Sequence, residues 1–413
     1  MSERRTFIKK LSGLGLGVFS SWEGIRMDRS ALAPDSFWSF VQKQFPITHV
    51  KTYFNTGTMG PSPYGVLDRV RDHNTWMETN GEYKGTEEAR NRLAQFLGCL
   101  ESEISLTHNT TEGINIMAWG LSLKPGDEVI LSTHEHVGNA LPWLNRAKLE
   151  GIRLIPIVPG LTQEENYQRV KAAIGPRTRV IALPHITTTT GTLFPIQAIA
   201  ELARRKNIWT CIDGAHAPGS VTLNLHNLNV DCYAASCHKW MCGPNGTGFL
   251  YVKENMLDAL QVFHVGAYSD TGWEISPDNQ TLKGYNPTAH RYDFATQNAA
   301  LYQGVVAAID FLESVEMKKV SHRVRDLSTH LFEELDKIKR VNILTPREKE
   351  SRAGMVSFTL EAMDFREFGK RASAAKFRIR LVPESGLDAI RISTHIFNDH
   401  KQIDSFVKLV REL

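Results

Sequence analysis

The stretch AASCHKWMCGPNGTGFLYV (residues 234–252) sets Lys239 beside His238, close to Cys237 and Cys242 and ahead of a glycine-rich turn. Four roles for Lys239 compete: a surface charge, a phosphate clamp, part of a metal site, or a nucleophilic amine. A lysine in isolation is most often a solvated charge. Its immediate surroundings leave the four open. DCYAAS before it and GFLYV after it read as short apolar strands, so Ser236, His238 and Lys239 fall where a strand ends. Gly243, Gly246 and Gly248 turn the chain into the second strand. They do not form a Walker loop, because the lysine precedes the glycines.

Outward from this stretch, strand and helix patterns alternate. EEARNRLAQFLG and TEGINIMAWGL read as helices, the second capped by Thr110 or Thr111. DEVILS is a strand, ALPWLNRAKLEG a helix and IRLIPIV extended. RVIALPH, PIQAIAELARRKN and IWTCID continue as strand, helix, strand. The class is α/β, with a mostly parallel central sheet, helices on both faces and a smaller α+β domain. We divide the chain into a signal-like segment at 1–33 and a segment at 34–60 that packs with the small domain. A large domain spans 61–300 and a small C-terminal domain 301–413. In open α/β sheets, ligands gather at the carboxyl ends of strands.

Polar residues cluster at those ends. Asp213 follows WTCI in DGAHAPG and is placed either as a turn residue or to hold a cationic ring nitrogen. Thr110 and Thr111 open a helix, where free backbone N–H groups make a phosphate seat. His134 and His136 follow EVIL two residues apart. They lack an H-E-x-x-H pattern, and His136 is suited to lie flat on an aromatic ring. Cys232, Cys237, His238 and Cys242 raise a zinc site as the alternative, but the spacing lacks a tight C-x2-C pair. We expect no metal.

The 413 residues are 42% hydrophobic and 23% charged, with 48 basic against 45 acidic side chains and a formal net charge of +3. That balance, without a basic stripe interleaved with aromatics, argues against nucleic acid. Five unevenly spaced cysteines make a disulfide framework an unsuitable reading. No apolar run is long enough to span a bilayer. SERRTFIKKLSGLGLGVF (residues 2–19) resembles a twin-arginine export signal, with Ala31-Leu32-Ala33 as a small-residue cleavage site. A periplasmic or exported location is expected, with the cytoplasm as the alternative.

Eight ordered motifs from about Tyr53 to Arg391 together resemble the class V aminotransferase family of pyridoxal-phosphate enzymes. They are YFNTGTMGPSP, NTTEGIN, EHVGNALPW, PHITTTTGTLFPI, DGAHAPG, SCHKWMCGPNGTGFLY, RYDFATQN and GLDAIRISTHIFN. DGAHAPG is closest to the isopenicillin N epimerase-like branch, and cysteine desulfurases are related. The resemblance implies fold type I, pyridoxal 5'-phosphate as cofactor, a small-molecule amino-acid substrate and a homodimer with shared active sites. It implies Lys239 as the Schiff-base lysine, Asp213 as partner of the pyridine nitrogen and His136 stacked on the ring. Thr110, Thr111, Ser236 and His238 match phosphate-binding positions, and Thr296 the residue reaching the partner subunit's phosphate. His216 stands where desulfurases carry a glutamine. Thr188 replaces an asparagine that contacts the ring in desulfurases. Arg391 matches the arginine that pairs with the substrate carboxylate, and Asn55 opens the loop near it.

Desulfurases of this family need a nucleophilic cysteine in the C-terminal part of the chain. Here FRIRLVPESGLDAIRIST contains none. Transamination needs only Lys239 as proton carrier, whereas epimerisation needs a second acid on the opposite face. The expected activity is therefore an α-amino-acid aminotransferase, with an epimerase or a cysteine-independent C–S lyase as alternatives.

Overall fold

A computed structural model describes residues 34–47 and 50–413 of the chain. The twin-arginine stretch lies outside the described residues. The central sheet has seven strands: β1 (Ile104–Thr107), β2 (Glu128–Ser132), β3 (Arg153–Ile157), β4 (Thr178–Pro184), β5 (Trp209–Asp213), β6 (Cys232–Ser236) and β7 (Gly248–Val252). Their spatial order is β1-β7-β6-β5-β4-β2-β3. Strands β3, β2, β4, β5 and β6 pair in parallel, and β7 runs antiparallel to both β6 and β1. Burial on both faces explains their near-continuous apolar runs, since β5 and β6 have no exposed residue.

The helices are α1 (Pro34–Gln42), α2 (Tyr64–Asn80), α3 (Thr86–Leu97), α4 (Thr110–Gly120), α5 (Val137–Glu150), α6 (Gln163–Ala173) and α7 (Ile196–Arg204), followed by α8 (Ala299–Val315), α9 (Met317–Asp336), α10 (Phe365–Ala374) and α11 (His400–Glu412). Helix α7 shows the logic of the layer. Ile196, Ile199, Ala200 and Ala203 recur at helical spacing and are buried as one stripe, while Glu201, Arg204 and Arg205 face out.

A second sheet of four antiparallel strands, β8 (Val341–Ile343), β9 (Met355–Leu360), β10 (Arg380–Val382) and β11 (Ala389–Ser393), has the order β8-β9-β11-β10. Its register sets Arg380 opposite Arg391. Thr52–Tyr53 pairs in parallel with Phe377–Arg378, and Phe54 is buried in the small-domain core, so the N-terminal segment is stitched to that domain. Helix α8 is buried almost all round and fills the larger core with α2 and α3. The side chains change cores along α9, between Val324 and Leu327. Thus α8, which the sequence places at the start of the small domain, packs with the large one.

Register also positions the chemistry. Asp213 ends β5 opposite Pro184 of β4 and Ala234 of β6. Ser236 ends β6, and the chain then turns through Lys239. This turn is braced by the N-terminal segment, because Gly60 N–H donates to the His238 carbonyl at 2.7 Å. A Cβ on Gly60 would sit 1.8 Å from the Lys239 carbonyl oxygen. Backbone cannot yield as a flexible side chain can. Gly60→Ala is therefore expected to cost about 1–3 kcal/mol through overpacking. Calorimetry should show a lower melting temperature, and an unchanged one would mean that the brace is not rigid.

Candidate active site

A cavity of about 420 Å³ opens at the carboxyl ends of β5 and β6. Eight of the residues expected from the sequence line it: Lys239, Asp213, His136, Thr110, Thr111, Thr188, Ser236 and His238. Four do not, and each has a different reason.

His216 sits immediately behind the cavity. Its Nε2 lies 3.4 Å from Lys239 Nζ, and its Nδ1 accepts from the Trp240 indole N–H at 3.2 Å. An indole nitrogen only donates, so His216 Nδ1 carries no proton. Burial, then Lys239, hold the imidazole neutral by driving its pKa well below the ordinary value. The neutral ring must carry its proton on Nε2, which makes it a donor toward the lysine amine. An ammonium would meet that N–H unfavourably. This agrees with Lys239, whose pKa is lowered from 10.5 to about 8, chiefly by burial. Asp213 opposes that shift, and Arg391 and Arg380 add to it. Burial raises the Asp213 pKa, while Lys239 and the Ala215 N–H, 2.9 Å away, favour the carboxylate.

Arg391 lies fully buried beneath the cavity. Its Nη1 donates to the Thr188 carbonyl at 2.6 Å and to Thr188 Oγ1 at 3.0 Å. Its Nη2 donates to Thr58 Oγ1 at 3.2 Å, and its Nε has no hydrogen-bond partner among the described residues. Thr58 in turn donates to Asn55 Oδ1 at 2.9 Å, so Asn55 orients the arginine's neighbour and does not face the cavity. Burial and the facing Arg380 push the Arg391 pKa down to about 9. A buried guanidinium met only by neutral oxygens calls for a carboxylate. Thr296 lines a different hollow, beside Tyr83, Arg90 and Asp293.

One wall is the amino terminus of α4. The cap is Asn109, whose Oδ1 accepts from Glu112 N–H at 3.0 Å, and not Thr110 or Thr111 as the sequence suggests. The threonines are thereby left for other work. Thr110 N–H donates to Ser236 Oγ at 2.9 Å, and the two hydroxyls lie 2.8 Å apart. At the opposite wall, His136 caps α5, and its Nδ1 accepts from Gly138 N–H at 3.0 Å. That bond leaves the proton on Nε2 of a ring held neutral, mainly by burial, with a pKa of about 4. Buried Glu135 steadies the segment by accepting from Ser132 N–H and Asn139 Nδ2. Pyridoxal phosphate suits this set. A helix terminus with hydroxyls and the buried, unpartnered Nδ1 of His238 await an anion. A Cβ on Gly138 would meet Thr111 Oγ1 at 2.4 Å, so the seat needs that glycine.

Sequence reasoning missed Gly57, Thr58, Asn109, Gly138, Ala215 and Arg380 in the lining. Arg380 is brought there by its pairing opposite Arg391, which nothing in its local sequence announces. The zinc alternative finds no support in the geometry. Among the described residues no three His, Cys, Asp or Glu side chains converge as metal ligands, and Cys237 and Cys242 are buried thiols whose pKa values burial raises.

The neutral fraction of Lys239 should be measurable in the apo protein. Labelling by trinitrobenzenesulfonate, followed by mass spectrometry of the Lys239 peptide, should rise through pH about 8. Asp213→Asn removes a charge that favours the ammonium, so its midpoint should move to lower pH. A midpoint at the ordinary lysine value of 10.5 would contradict the burial account.

Comparison with known proteins agrees with this geometry. The family model described as aminotransferase class-V matches residues 71–406. Isopenicillin N epimerase of Amycolatopsis lactamdurans is 28% identical over 404 residues, covering 91% of this chain and 98% of the epimerase. Cysteine desulfurase of Haloferax volcanii is 26% identical over 392 residues, covering 87% and 88%. Among solved structures, a mutant of C-DES with glycine covalently linked to its PLP cofactor superposes with a TM-score of 0.83 at 26% identity, covering 90% of this chain and 99% of that one. C-DES is described as a cystine C–S lyase in its complex with cysteine persulfide, which superposes at 0.82. The match of the family model across most of its length shows that the chain belongs to the class V aminotransferase family.

Proposed function

We propose that the chain is an aminotransferase that acts on an α-amino acid with pyridoxal 5'-phosphate. Family membership and the cofactor-bearing C-DES neighbour support the broader part of that reading, a pyridoxal-phosphate enzyme. When bound, the cofactor supplies an electron sink for the bonds at the substrate's Cα. The protein's residues divide the remaining work. Thr110, Thr111, Ser236 and His238 hold the phosphate. Asp213 keeps a proton on the ring nitrogen, and His136 covers the ring. Arg391 receives the α-carboxylate and fixes Cα near Lys239. Lys239 Nζ, neutral at mildly alkaline pH, takes and returns the Cα proton.

The observation that carries transamination is the set of proton carriers. His136 and His238 line the same cavity but titrate at about 4, leaving Lys239 as the lining group poised near neutrality. One base serves transamination, whereas epimerisation needs a second on the opposite face. Cys237 and Cys242 are buried and line no part of the cavity, which speaks against a persulfide-forming desulfurase. Epimerisation stands as the second reading because the Amycolatopsis epimerase aligns over nearly its whole length. Elimination at a C–S bond has support from the C-DES likeness.

Two further proposals accompany this reading. Thr296 lies in a hollow apart from the Lys239 cavity, so a phosphate contact from it requires a homodimer in which it serves the partner's site. Arg4-Arg5 and Ala31–Ala33 support export. Among the described residues no helix is long and apolar enough to cross a membrane.

Incubation of holoenzyme with L-amino acids and a keto-acid acceptor in deuterated water separates the reactions. Transamination predicts keto-acid formation and exchange at Cα with no D-isomer. Accumulation of deuterated D-isomer would replace it with epimerisation, and release of ammonia or sulfide with elimination. Lys239→Ala should lower turnover by at least about 10²-fold, the scale of a lost general base. Arg391→Lys should raise KM by more than about tenfold, because a point charge cannot reproduce the bidentate contact.

A further inference from the structure

On the far side of the small-domain junction lies a second cavity, larger than the first at about 660 Å³. One wall is the first half of α9. Lys318, Ser321, His322 and Arg325 all line it, and their spacing of three, four and seven residues puts them on one helical face. The opposite wall comes from the large domain, from residues 220–228 and His185. Arg352 closes the cavity at the entry to β9.

The composition of the lining is one-sided. It contains three full cations and two histidines but no carboxylate. Among the described residues, no ion pair engages Lys318, His322 or Arg325, although ion pairs engage other residues of α9 such as Lys319 and Asp326. Glu333 and Glu350 are close enough to act on Arg352, yet neither lines the cavity. Polar atoms there also lack partners. Arg352 is 3% exposed, and its Nε is buried without a hydrogen-bond acceptor. Ser321 Oγ is likewise buried and unpartnered. Buried donors left unmade are costly, and like charges gathered without an anion repel. Burial chiefly disfavours the Arg352 cation and the Arg325 charge adds to that, with Glu333 and Glu350 opposing.

We propose that this cavity binds a compact multivalent oxyanion, of the phosphate or polycarboxylate kind, at a site separate from the one around Lys239. Such a ligand supplies acceptors to Arg352 Nε and Ser321 Oγ and neutralises Lys318 and Arg325. The Arg325 guanidinium matches both kinds of oxyanion through planar, paired donors, while Arg352 offers its Nε, its Nη1 already donating to the Pro346 and Arg347 carbonyls and its Nη2 to Thr329 Oγ1. Both walls belong to one body, because Val320 and Val324 of α9 share the larger core with Leu225 and Ala353.

Calorimetric titration of holoenzyme, saturated with pyridoxal phosphate and held at constant ionic strength, tests the site. Pyrophosphate is one probe and citrate the other. Saturable binding of either probe, one per chain, is expected, and the tighter probe identifies the class. The double variant Lys318→Gln/Arg325→Gln changes two exposed side chains, so it should fold and keep the cofactor's absorbance. Its affinity for the probe should fall by at least about tenfold, the effect of losing charge-assisted contacts. Absence of saturable binding by both probes would overturn the proposal. So would an affinity unchanged in the double variant, because binding would then lie elsewhere.

Discussion

Burial of one amine organises this site. Lys239 is placed by the turn after β6 in the wall of the cavity, itself buried, and that burial disfavours its charged form more than Asp213 restores it. The consequence reaches outward. A neutral amine accepts the Nε2 proton of His216, which is fixed on that nitrogen by the Trp240 indole. Trp240 is itself anchored, since its carbonyl oxygen lies 2.9 Å from His395 Nε2. The lysine's protonation is thus tied to a tautomer set two residues deep in the core.

Around that amine the charges are sorted by depth. Asp213 is held by the ladder of the parallel sheet, where its register between Pro184 and Ala234 leaves little freedom. Arg391 comes from the other sheet and is buried without a carboxylate of its own. Each of these ions would be costly alone. Together they define a pocket that, on the proposed reading, would take a phosphate at the helix terminus, a cationic ring nitrogen at Asp213 and a carboxylate at Arg391. The two sheets therefore meet at this site: one contributes Lys239, Asp213 and the helix terminus beside them, the other Arg380 and Arg391.

Much of this was legible in the chain because buried parallel strands write continuous apolar runs and the polar residues follow them directly. DCYAAS and WTCID announced both their strands and the positions of Ser236 and Asp213. Other features were hidden for physical reasons. The cap of α4 is Asn109, because its side chain reaches Glu112 N–H better than a threonine placed inside the first turn could. Arg380 enters the cavity only through strand pairing with β11, a non-local contact that spacing does not encode. Thr58 acts through Arg391, so nothing in its own neighbourhood marks it, whereas Asn55 was legible from its motif but acts one step further back, by accepting from Thr58. The core that α8 joins is likewise set by packing against α2 and α3, distant in sequence.

The central claim is that Lys239, and no other lysine, forms the covalent link to the cofactor. Borohydride reduction of the holoenzyme followed by peptide mapping addresses it directly. The account predicts a phosphopyridoxyl mass on the peptide containing Lys239 and its disappearance in Lys239→Ala. An adduct on a different lysine, or a protein that takes up no pyridoxal phosphate, would contradict it.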